Sequence, residues 1–214
     1  MRRLSPEKRA TVLSALVEGN AINSTARLVG VSKITVLRLL ADAGTLCAQY
    51  HDLFVRGLAS KRVQLDEIWS FCGCKDKAKA KGADGFGSVW TWTAIDADSK
   101  LCIGYLVGLR DGEYATELVK DVAARIDTRN QLTSNGVSAY LEAVEEGFQG
   151  YVDYAMLVKI YGKDAEESEK RYSPAVCKGC KKQPKVGSPP DPDHISTSYV
   201  ERQNLTMRMS MRRK

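Results

Sequence analysis

The feature that most limits what this chain can form is a change in hydrophobic period near residue 60. Before it, apolar residues recur three and four apart, the spacing of one helix face. From Val63 onward, β-branched and aromatic residues alternate with polar ones, the spacing of strands. A helical segment of about 58 residues followed by a mixed α/β (α+β) segment is the expected organisation, with domains at 1–58 and 59–214.

In the first segment, Ser5 suits an N-cap, Pro6 the first helical position and Gly19 the residue past the end, so a helix is predicted over 5–18. A short helix carrying Ala26, Leu28 and Val29 ends at Gly30, and Ser32 can cap a second one. That helix puts Ile34, Leu37 and Leu40 on one face and Lys33, Thr35 and Arg38 elsewhere; residues 44–60 continue as helix or connector. Helix, short Gly-containing turn and capped helix, in ARLVGVS-x-x-TVLRLL, is the helix-turn-helix pattern. Its capped end would bring Ser32, Lys33 and Thr35 to the major groove and Arg38 to a phosphate. A small helical bundle with no nucleic-acid role has the same spacing.

In the second segment, VQLDEIWSF, VWTWTAID and LCIGYLVGL read as three strands, the last two joined by a hairpin turn at DADSK. Asp96 and Asp98 are taken as turn residues. A helix over 114–127, a short strand QLTS and a helix over 137–148 follow. Residues 162–193, rich in Gly, Pro, Lys and acids, read as a flexible exposed insertion, and a last helix begins in the Ser/Thr cluster after His194. Trp69, Trp90 and Trp92 are expected in the sheet, with Trp90 and Trp92 on one face.

Net charge is +6, concentrated at the ends. Residues 1–60 carry eight Lys/Arg against four acids, and residues 202–214 carry five against none. A polyanion touched at two places fits this distribution, with Arg202, Arg208, Arg212 and Arg213 along its path; a solvated helix face is the alternative. No apolar run reaches the roughly 18 residues of a membrane span, and no apolar stretch follows Arg2 and Arg3, so neither a membrane partner nor a signal peptide is expected. A cytoplasmic protein is expected, its six cysteines reduced. Cys72-x-Cys74 and Cys177-x-x-Cys180 could supply four thiolates, but the tight first pair and the separate elements make zinc the weaker expectation.

Three positions stand out chemically. Asp66 lies in the first strand, Asn135 directly after the fourth, and Glu201 on the last helix, 69 and 66 residues apart. Oxygen ligands so placed can converge at one end of a sheet and hold hard divalent cations, two of which, about 4 Å apart, can promote in-line phosphoryl displacement. Asp66 and Glu67 are adjacent, so as strand residues only one is expected to point into such a site. His194, seven residues before Glu201, is read as either a phosphate contact or a plain loop histidine.

LDEIWSFCGCKDK, VWTWTAIDADSKL, the TS-x-G segment before AYLEAVEE, VDYAMLVKIYG and HISTSYVERQNLTMRMSMRR together resemble the IS1-type DDE transposases over roughly residues 60–214. The resemblance implies an RNase H-like catalytic domain behind the helix-turn-helix. It implies Mg²⁺ or Mn²⁺ as cofactor, with strand cleavage by water followed by attack of the freed 3′-OH on target DNA. Double-stranded DNA, as terminal inverted repeats and target, is the implied partner, bound by a homo-oligomer. Asp66 and Glu201 match the first Asp and the Glu of the triad. Asn135 stands where the family has its second Asp, and a carboxamide keeps the shape but not the charge. Metal binding and strand transfer are therefore expected to be impaired. A decayed or repurposed copy, a deliberate inactivation and a deamidation-prone Asn135-Gly136 pair each account for the residue. Family members continue beyond the point matching Lys214, so a C-terminally truncated catalytic domain is expected. The rival readings are a catalytically inactive DNA-binding remnant or repressor, a nuclease of the same fold, and a helix-turn-helix transcription factor.

Overall fold

The computed structural model describes residues 4–78, 85–161 and 177–210 and divides into two compact units, Met1–Arg56 with Arg202–Lys214, and Gly57–Glu201. Among the described residues no helix is long and apolar enough to cross a membrane.

The first unit contains α1 (Pro6–Val17), α2 (Ile22–Val29) and α3 (Lys33–Phe54). Ser5 caps α1 by accepting the Lys8 N–H, and Ser32 caps α3 by accepting the Thr35 N–H at 3.1 Å. Gly30 ends α2 in the left-handed conformation at φ 65°, where a Cβ would be strained. Residues 44–54, read as helix or connector, continue α3, with Gly44 in the helix interior. The core of the unit is small: Val12, Ala26, Val36 and Leu39. On α3 it is therefore Val36 and Leu39 that are buried, whereas Ile34, Leu37 and Leu40 are exposed. Both stripes are apolar, and the turn at Gly30 sets the rotation of α3 that buries one of them.

The second unit is built on a six-stranded sheet of order β3-β2-β1-β4-β5-β6. Its strands are β1 (Arg62–Cys72), β2 (Gly87–Asp96), β3 (Cys102–Gly108), β4 (Asn130–Asn135), β5 (Val152–Tyr161) and β6 (Cys177–Val186). β1, β2 and β3 are antiparallel neighbours, β4 runs parallel to both β1 and β5, and β6 returns antiparallel to β5. This is the mixed sheet expected of an RNase H-like domain. α4 (Gly112–Ala123) and α5 (Ala139–Phe148) cover one face, burying Leu118, Val119, Tyr140 and Val144 against Leu65, Trp92 and Leu132. Each such fully buried aliphatic side chain contributes about 1.5–3 kcal/mol relative to exposure. α4 begins two residues earlier than the periodicity suggests, because Asp111 accepts the Tyr114 N–H and caps it.

The hairpin turn uses Asp96 as expected. Its carboxylate accepts the Asp98 N–H at 3.0 Å and the Ser99 hydroxyl at 2.7 Å, while Asp98 pairs with Arg62. Residues 177–186, inside the stretch read as a flexible insertion, instead form β6; residues 162–176 lie outside the described ones. Strand formation here follows from backbone pairing to β5, which composition does not report. The strand is exposed, Lys-rich and carries Pro184, features of a protected sheet edge.

On the sheet face opposite α4 and α5, α6 (Ser198–Ser210) starts against β1. The Gln64 side chain, 3% exposed, accepts the backbone N–H groups of Tyr199 and Val200 at 2.9 and 3.0 Å. One carboxamide thus serves two otherwise unpaired donors at the helix start. Gln64→Ala should cost about 1–3 kcal/mol in urea unfolding, since it strands both donors. A cost near zero would show that another group takes the cap.

Candidate functional site

The candidate site forms where β4 stops. β1 and β4 pair in parallel only as far as Leu65 opposite Ser134, so Asn135, the last residue of β4, comes beside Asp66 in the interior of β1. Side chains alternate along β1: Val63 and Leu65 enter the core under α4 and α5, and Glu67 belongs to that face. Gln64 and Asp66 belong to the face of α6. By the same alternation Asn135 lies opposite to Leu132, on the Asp66 face.

The expectation that only one of Asp66 and Glu67 reaches the site does not hold. The Asn135 amide nitrogen donates to Asp66 Oδ1 at 2.8 Å and to Glu67 Oε2 at 3.0 Å, while its oxygen accepts the Val137 N–H at 3.2 Å. The two carboxylates leave β1 on opposite faces, but β4 ends here and no longer separates them. The longer Glu67 side chain reaches the amide from beneath.

Glu67 is the residue that sequence reasoning missed. Its side chain is 1% exposed and carries three sets of partners. Arg110 donates to Oε1 through two nitrogens at 2.6 and 3.0 Å, Asn135 donates to Oε2, and the Tyr140 hydroxyl reaches Oε2 at 3.3 Å. A buried carboxylate needs such compensation. The guanidinium of Arg110 also lies 4.5 Å from the Trp90 ring, and Tyr140 packs edge-on to Trp92 at 5.5 Å. Burial, with Glu67 and Asp66 nearby, pushes the Tyr140 phenol well above its ordinary range, so it remains a donor. The only hint in the sequence was a second acid beside Asp66.

Glu201 directly follows Val200, the second of the two α6 residues bound by Gln64. Its Oε1 accepts from the Lys159 ammonium of β5 and from the Thr197 hydroxyl at 2.6 Å. Asp66 and Asn135 are thus brought into direct contact, while Glu201 is paired with a cation and a hydroxyl. His194 bonds Asp191 at 2.7 Å, and Asp191 is tied to Gln131, four residues before Asn135 on β4. In the other unit, Ser32, Lys33 and Arg38 are exposed and Thr35 is half-buried at the start of α3; Arg202 and Arg208 are exposed. Arg212 and Arg213 lie outside the described residues. Cys72 ends β1 and Cys74 lies just past it, whereas Cys180 is on β6, with β4 and β5 between those strands.

A divalent cation such as Mg²⁺ takes oxygen ligands. Here Asn135 presents N–H groups to the two carboxylates, its oxygen faces a backbone N–H, and Glu201 faces an ammonium. Among the described residues, no three or more His, Cys, Asp or Glu side chains gather as a metal site. Asp66, Asn135 and Glu201 as they stand do not fit the metal that the sequence resemblance implies.

The network makes unequal demands on its members. Arg110→Ala, which removes two guanidinium bonds to a buried carboxyl group, should destabilise by about 1–3 kcal/mol. Tyr140→Phe, which removes one long bond, should cost less than about 1 kcal/mol. Urea unfolding of the two variants, compared at one pH, checks the order.

No protein-family model and no curated protein matches the chain. Among solved structures it is similar to a Mos1 transposase paired-end complex with the left transposon end. The identity is 15%, over 70% of this chain and 58% of that one, with a TM-score of 0.29. A piggyBac transposase synaptic complex with hairpin DNA shares 13% identity over 97% of this chain and 58% of that one, at a TM-score of 0.39. A Mos1 mariner paired-end complex with Mn shares 14% over 70% and 59%, at 0.27. The chain spans under three-fifths of the length of each of these transposases.

Proposed function

We propose that the chain is a DNA-binding protein of the insertion-sequence transposase type, of IS1 kind, in which strand cleavage and transfer are severely impaired. The observation that supports this most is the 2.8 Å contact between Asp66 within β1 and Asn135 at the end of the neighbouring parallel strand, on a sheet against which the Glu201-bearing helix is pinned at Gln64. Those are the three positions of the triad motif. Phosphoryl transfer of this type depends on positioning and on charge placed around the reacting phosphate, and a neutral residue at 135 alters that charge.

In this proposal α2, the turn at Gly30 and α3 act as a helix-turn-helix. Ser32, Lys33 and Thr35 read the terminal inverted repeats, and Arg38, Arg202, Arg208 and Arg212 contact phosphates of the element or target DNA. The two element ends require a homo-oligomer on DNA, in the cytoplasm. One observation favours a second reading, an inactive remnant or repressor that only occupies the ends: the Asn135 amide engages both nearby carboxylates.

Two measurements test the proposal. Binding to inverted-repeat DNA should weaken linearly with salt on logarithmic axes; Arg38→Ala should flatten the slope by about 0.9, and Lys33→Ala should relax the sequence preference. Absence of specific binding to the repeats would sink the proposal. With Mg²⁺ or Mn²⁺ present, the unaltered chain should cut repeat DNA far more slowly than its Asn135→Asp form; equal rates would remove Asn135 as the cause of impairment.

A further inference from the structure

We infer that the Asn135 side-chain amide is a built-in counter-group for Asp66 and Glu67. It holds the place between the two carboxylates that a cation would otherwise fill, so the site closes without a divalent metal and does not load one. The inference rests on the proposed reading only in its choice of Mg²⁺ and Mn²⁺ as the relevant ions.

The direction of the amide is dictated by its neighbours. Ionised carboxylates can only accept a hydrogen bond, and the Val137 N–H can only donate one. With nitrogen toward Asp66 and Glu67 and oxygen toward Val137, all three contacts are satisfied, at 2.8, 3.0 and 3.2 Å. The reversed amide would set oxygen against two anions and nitrogen against a donor. Both amide protons are therefore engaged, and the amide oxygen is turned away from the carboxylates.

This differs from a simple loss of one charge. An Asn that merely failed to ligate could swing aside and leave two carboxylates to bind metal weakly. Here, swinging aside breaks two hydrogen bonds to carboxylates and removes one of the donors that make Glu67 tolerable at 1% exposure. The amide also joins the two faces of β1, because Asp66 and Glu67 leave the strand on opposite sides. A carboxylate at 135 would still accept the Val137 N–H but would reverse the sign of both contacts to Asp66 and Glu67. It would stand at hydrogen-bond distance from two others, and like charges so close cannot all ionise without a cation or a shared proton.

The test uses the full chain without DNA, so its failure is separate from a failure of end binding. Bound Mn²⁺ is read by electron paramagnetic resonance, and thermal unfolding is followed with and without the ion. The unaltered chain should leave the free-ion signal in place, and its Tm should move by less than about 1 °C. Asn135→Asp should lower the metal-free Tm, bind Mn²⁺ and regain roughly 5 °C at saturating ion. Adding Glu67→Gln to Asn135→Asp should raise the metal-free Tm again. Mn²⁺ binding by the unaltered chain that Asp66→Asn abolishes would overturn the inference, and that arm stands even if Asn135→Asp does not fold. An Asn135→Asp form with unchanged Tm and no bound Mn²⁺ would overturn it as well.

Discussion

Two N–H groups of one carboxamide, set between two carboxylates at the end of a strand, organise this site. Asp66 and Glu67 are sequence neighbours that leave β1 on opposite faces, and they share a partner only because β4 ends at Asn135. Glu67 is the more demanding of the two. Its burial is tolerable because Arg110, Asn135 and Tyr140 all donate to it, and Arg110 is in turn steadied over Trp90. The polar centre and the aromatic core are thus one assembly: Tyr140 touches Glu67 with its hydroxyl and Trp92 with its ring.

Two residues before Asp66 on β1, a second carboxamide has a comparable role. Gln64 faces α6 and accepts the helix's first free N–H groups, which fixes the position of Glu201, the next residue. A buried polar residue in a strand is costly unless its bonds are made, and here they locate a helix. Glu201 then meets Lys159 and Thr197. The Asp66, Asn135 and Glu201 side chains are therefore each held by hydrogen bonds to named partners of the second unit.

The first unit has a different balance. Among the described residues its core is four buried side chains, and α3 exposes Ile34, Leu37 and Leu40 along with polar residues near its start. A core this small stabilises only modestly, so the caps at Ser5 and Ser32 and the left-handed Gly30 matter in proportion.

Much of this was legible in the sequence because the signals are local. The caps at Ser5 and Ser32, the stop at Gly30, the Asp96 turn, the first three strands and the position of Asn135 at the end of the fourth all follow from residue type and spacing within a few positions. The motifs also singled out Asp66, Asn135 and Glu201. What tertiary structure alone decided depends on strand order and on where strands stop. Which apolar stripe of α3 is buried was set by the turn before it. That residues 177–186 form an edge strand was set by an open edge on β5, which accepts backbone whatever its composition. Above all, alternation along β1 assigns Asp66 and Glu67 to opposite faces, and only the register of β4, ending one residue past Leu65–Ser134, lets a single amide reach both.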